Sequence, residues 1–119
     1  MHRMIVMHGL PQCDTCRKAR AWLDERAVAY RFSDYREQPL ADDELLRFSQ
    51  QLGWEKLVNR ASLTWRKLPE SDRSPGTPDE WLSLARAHPS LLKRPLLVMA
   101  DGSAHVGFNA SRYADLLAG

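Results

Sequence analysis

Only two of the 119 residues are cysteine, so the chain can form neither the disulfide framework of a small secreted domain nor a four-cysteine zinc site. The four histidines, His2, His8, His88 and His105, are scattered along it. Folding would have to gather two of them beside both cysteines to complete a closed zinc site, and no metal is expected. Long apolar runs are also missing: Met1-His2-Arg3 leads straight into a short apolar segment. Neither a secretion signal nor a membrane span is therefore expected, which points to a reducing, cytoplasmic location. The charge excess is only +2, too small to argue for direct nucleic-acid binding. No internal repeat, low-complexity tract or linker interrupts the chain, and no amphipathic surplus asks for a second copy. A single domain over residues 1–119, working as a monomer, is the expectation.

The two cysteines lie three apart, in Gln12-Cys13-Asp14-Thr15-Cys16. Residues 4–8 before them read as a short buried strand, residues 17–23 after them as a helix, and Gly9 and Pro11 mark the turn. A thiolate is the reactive form of cysteine, and the unpaired amides at a helix N-terminus favour negative charge. Cys13 is thus the expected nucleophile, and Cys16, one turn further in, the resolving thiol. Arg17 and Lys18 should lower the Cys13 pKa and Asp14 should oppose them. Two other readings of the pair stay open at this point. A structural disulfide would close too small a ring to remove much unfolded-chain entropy, and two inert buried thiols would be ordinary apolar filler.

Further along, Val28, Tyr30 and Phe32 alternate with polar or small residues, the period of a half-buried strand. A helix over 42–52 follows, with acids in its first turn and Gly53 beyond its end. Residues 54–68 are irregular and partly helical, and Trp54 and Trp65 read as packing residues there. Residues 69–76 read as a surface loop. Thr77-Pro78-Asp79-Glu80 then opens a helix over 78–87, with a cap, a proline at the first helical position and a glutamate three residues after the cap. Two apolar segments, 96–99 and 104–108, flank Asp101-Gly102 as a hairpin, and a last helix spans 109–117. The predicted class is α/β: a thioredoxin-like fold with a helical insertion between the second strand and the C-terminal hairpin.

Four blocks of sequence carry a family resemblance: Cys13-Asp14-Thr15-Cys16-Arg17-Lys18-Ala19-Arg20-Ala21-Trp22-Leu23, then Leu52-Gly53-Trp54, Thr64-Trp65-Arg66-Lys67-Leu68, and His88-Pro89 through Lys93-Arg94-Pro95. In these the chain resembles the glutaredoxin-linked arsenate reductases (ArsC) and their Spx and YffB relatives, and YffB most of all. The resemblance implies a glutathione-dependent thiol reductase in which Cys13 attacks the substrate, Arg94 holds an anion and Arg60 or Arg66 supplies a second guanidinium. It also implies a cis bond before Pro95, with that proline facing the thiol. Glutathione would be a co-substrate rather than a bound cofactor, and glutaredoxin a possible partner. Phe108-Asn109 stands where the arsenate reductases would have a third arginine, which weighs against arsenate itself. The Spx relatives carry the same cysteine pair but act as redox-switched regulators that bind RNA polymerase, which gives the alternative reading. With Arg17 added, the basic residues named here would form an anion pocket around the thiol if the fold brought them together.

Overall fold

The computed structural model describes residues 4–118. In chain order its elements are β1 (Ile5–Gly9), α1 (Asp14–Glu25), β2 (Tyr30–Asp34), α2 (Asp42–Leu52), α3 (Trp54–Leu57), α4 (Leu63–Lys67), α5 (Pro78–Ala87), β3 (Leu96–Val98), β4 (Ala104–Val106) and α6 (Ala110–Ala118). They divide into two compact units, one made of the chain up to Gln38 and from Arg94 onward, the other of Pro39–Lys93.

The first unit is a four-stranded mixed sheet in the order β2-β1-β3-β4. β1 and β2 are parallel, with Ile5 opposite Tyr30 and Gly9 opposite Asp34, as the strand, helix, strand order requires. β3 runs antiparallel to β1 and to β4. This is the predicted thioredoxin-like arrangement, with the helices of the second unit inserted between β2 and β3. Met7, Ala19, Leu23, Leu97 and Tyr113 form its core. Trp22 and Phe108 both meet Tyr113 edge-on, at 5.7 and 4.9 Å between ring centres, the geometry favoured by aromatic quadrupoles.

β2 begins two residues later than the alternation from Val28 predicts. The amides of Arg26, Ala27 and Val28 are still bonded to carbonyls of Leu23 and Asp24 at 3.0–3.2 Å, and Ala27 takes a positive φ of 56°. Val28 is therefore tied back to the end of the helix, in the turn that follows it, and pairing starts at Tyr30.

The second unit is helical. α2 ends at Gly53, whose φ of 84° lies where a side chain would be strained. Trp81 of α5 stacks between Trp54 and Trp65, at 5.7 and 6.2 Å with nearly parallel planes. Val58, Leu68 and Leu91 join Trp65 in the buried core, so the tryptophans are packing residues here. α5 starts where its capping pattern predicts: the Glu80 amide donates to the Thr77 hydroxyl at 3.2 Å. Within 69–76, read as loop, Glu70–Arg73 close a single 3-10 turn; one turn of this tight helix has no hydrophobic period to announce it. Among the described residues no helix is long and apolar enough to cross a membrane.

Candidate active site

Both cysteines belong to the junction of β1 and α1. Cys13 is the residue before the first helical one, with extended backbone. Its carbonyl accepts the amide of Arg17 at 2.9 Å and its own amide donates to Leu10 at 3.2 Å. Those bonds fix the turn and leave the first amides of α1 facing the Cys13 side chain. A negative charge on the Cys13 sulfur is favoured by those amides. Burial pushes the Cys13 thiol up, but the Cys16 amide, the Cys16 thiol, the Arg94 guanidinium and the Thr15 amide outweigh it and hold the group below its ordinary value.

Cys16 differs on every count. It is 0% exposed, and burial pushes its thiol up to about 11, with the neighbouring Cys13 sulfur adding to the effect and Leu10 and Arg94 opposing it. Of the two thiols, Cys13 therefore gives up its proton first and Cys16 holds its proton to higher pH. Neither is in a disulfide. The Cys16 sulfur lies against the end of β1: a Cβ on Gly9 would come within 2.6 Å of it. Only glycine leaves that space, so the strand's last residue sets how deep the second thiol can sit.

Arg94 precedes β3, whose Leu96 lies opposite His8, so it stands at the end of the sheet where β1 leads into the cysteine turn. The Arg94–Pro95 bond is cis, Pro95 is fully buried, and the Pro95 carbonyl accepts the Gly107 amide at 2.9 Å. The guanidinium reaches the Cys13 sulfur and also donates to the Tyr35 hydroxyl at 3.0 Å. Burial alone would favour its neutral form; Tyr35 and Cys13 reverse that and raise its pKa.

The remaining basic residues named from the sequence are arranged differently. Arg17 is exposed, donates to the Pro11 carbonyl at 3.2 Å and faces Asp14 at 3.8 Å. Arg60 and Arg66 belong to the helical unit, where Arg60 is exposed opposite Glu55 at 4.0 Å and Arg66 is exposed on α4 beside the buried Trp65. Of the histidines, His8 lies in β1 and His105 in β4, His88 follows α5, and His2 is outside the described residues. Among the described residues no group of three or more His, Cys, Asp or Glu gathers as metal ligands would. Sequence reasoning missed Tyr35 and Gly9. A lone aromatic in the polar run Ser33-Asp34-Tyr35-Arg36-Glu37 was the available signal for the first.

The chain is similar to known proteins over most of its length. The ArsC family profile matches residues 8–116. A protein of Haemophilus influenzae is 37% identical over 110 residues, 92% of this chain and 96% of that one. The global transcriptional regulator Spx of Streptococcus mutans is 33% identical over 108 residues, 89% of this chain and 77% of that one. Among solved structures, a YffB protein superposes with a TM-score of 0.88 at 39% identity, covering 96% of this chain and 99% of its own. An arsenate reductase related protein from Brucella melitensis gives 0.74 at 40% identity, covering 94% and 92%. With a cysteine-bearing strand-to-helix turn, a cis proline after an arginine, and a match running from β1 into the last helix, this chain belongs to the ArsC family.

Proposed function

We propose that the protein is a cytoplasmic, monomeric thiol reductase of the arsenate reductase type, with Cys13 as nucleophile and glutathione as co-substrate. The observation that carries this reading is the contrast between the thiols: a partly exposed Cys13 at the N-terminus of α1 whose pKa is held down, beside a buried Cys16 whose pKa is pushed up. Cys13 attacks a glutathionylated substrate; a bond forms from Cys13 to the glutathione sulfur, the substrate–sulfur bond breaks, and the leaving thiolate takes a proton from water. A second glutathione thiolate can then attack the Cys13 mixed disulfide, release oxidised glutathione and restore the Cys13 thiolate. Alternatively Cys16 attacks, passing its proton to the departing glutathione, and the resulting Cys13–Cys16 disulfide is reduced by two further glutathiones. Arg94 is suited to hold a glutathione carboxylate beside the thiol. Glutaredoxin is the candidate partner for turnover with an oxyanion.

The test is glutathione-coupled turnover of a small mixed disulfide by wild type, Cys13→Ser and Cys16→Ser, with arsenate as a parallel substrate. Wild-type turnover abolished in Cys13→Ser is the expected result. Cys16→Ser should stall the intramolecular route at the mixed disulfide and leave the second-glutathione route working. The similarity to Spx over 89% of the chain favours one alternative, a redox-switched regulator that binds RNA polymerase. Absence of turnover on every substrate, with a reversible Cys13–Cys16 disulfide still forming, would select it.

A further inference from the structure

Tyr35 follows the last residue of β2 and is 2% exposed. Its amide donates to the Gly9 carbonyl at 3.3 Å, which fixes it to the end of the strand that leads into the cysteine turn. A buried phenol needs a partner for its hydroxyl. Here the hydroxyl accepts from Arg94, 59 residues away in sequence, and the same guanidinium reaches the Cys13 sulfur. Packing alone would be satisfied by phenylalanine, so the hydroxyl asks for its own explanation.

The chemistry of a phenol supplies one. A long arginine side chain has many rotamers, and only a few of them put charge beside a given sulfur. A carboxylate in place of Tyr35 would hold the guanidinium as firmly but would cancel its charge and draw it away from the thiolate. Burial raises the pKa of Tyr35, with Arg94 opposing and the two cysteine sulfurs assisting, so the phenol stays neutral while Cys13 titrates. We propose that Tyr35 is a positioning residue for the thiol: its buried hydroxyl, a neutral acceptor, orients the Arg94 guanidinium on Cys13 without cancelling its charge.

This rests on Cys13 being the reactive thiol, and its test does not depend on which substrate the protein reduces. The rate of Cys13 alkylation by iodoacetamide is measured against pH by mass spectrometry in wild type, Tyr35→Phe, Arg94→Ala and the double variant. Tyr35→Phe keeps the ring and is expected to keep the circular dichroism spectrum. Its Cys13 profile should move to higher pH, lowering the rate at neutral pH about threefold, the effect of half a pKa unit. In the Arg94→Ala background the same substitution should add nothing. A wild-type profile in Tyr35→Phe overturns the proposal, and so does an equal shift with and without Arg94. Should Tyr35→Phe fail to fold, Arg94→Lys carries the test, because one ammonium is a point donor that cannot present the planar fork spanning phenol and sulfur. An upward shift is then expected, and an unchanged profile overturns the proposal. Loss of reductase turnover on every substrate with the Tyr35 effect intact would refute the reductase reading and leave the positioning role standing.

Discussion

Arg94 in the sheet unit and Arg60 in the helical unit are both candidate anion ligands by resemblance, but their surroundings differ. Arg94 is partly buried, donates to a buried phenol at 3.0 Å and reaches the Cys13 sulfur. Arg60 is exposed and faces an exposed Glu55 at 4.0 Å, a contact that costs side-chain freedom and is screened by salt. The aromatic residues divide in the same way. The helical unit uses Trp54, Trp65 and Trp81 to fill space, whereas the sheet unit uses Tyr35 to aim a cation. A preorganised charge is thus made by the buried groups around it, and the number of basic residues says little about where one will be found.

The comparison can be broken at several points. Trp81→Ala removes the middle ring of the helical unit's stack and should cost the most, about 3 kcal/mol for a large aromatic truncation, seen as a lower urea midpoint. If the midpoint is unchanged, the stack is ornament rather than core. Gly9→Ala drives a methyl into the Cys16 sulfur and should cost about 1–3 kcal/mol, as overpacking does; thermal unfolding of the variant measures it. A neutral result there would mean that Cys16 can retreat from the strand.

Arg94→Ala should raise the Cys13 pKa and slow its alkylation at neutral pH about tenfold, one pKa unit. It should also weaken binding of anionic thiols; unchanged values for both would remove Arg94 from the site. The sign of the linked stability effect follows from the direction of the shift. Folding holds the Cys13 pKa below the ordinary 9.0, so its contribution is fully present above that value and is lost as pH falls through the lowered one. The variant should therefore lose most relative to wild type in mild alkali and least in acid. Arg60→Ala, the matched control in the helical unit, should change stability by less than about 0.5 kcal/mol, as exposed pairs do.

Features set by neighbours in sequence were readable before the structure. The capping tetrad at Thr77 locates the start of α5, Gly53 marks the end of α2, and Asp101-Gly102 lies in the connection between β3 and β4. In the candidate site, Cys13, Cys16, Arg94 and Pro95 stood out through spacing and resemblance. Tyr35 did not, because its role depends on a partner 59 residues away and no local period links the two. Gly9 was read as a turn residue; that its missing side chain makes room for a sulfur depends on how α1 packs on β1. Proximity in the chain suggests Arg17 beside the thiol, but its guanidinium turns to Pro11 and Asp14 instead.

The proton on Cys16 gives the site a sense of order. Part of what keeps that proton in place is the adjacent Cys13 sulfur, through its hydrogen bond and its charge. Once Cys13 is joined to a substrate sulfur it carries no charge, and that part of the restraint disappears while burial remains. The second thiol thus becomes easier to ionise only after the first has reacted. In the proposed reductase cycle, a captured partner thereby primes its own release.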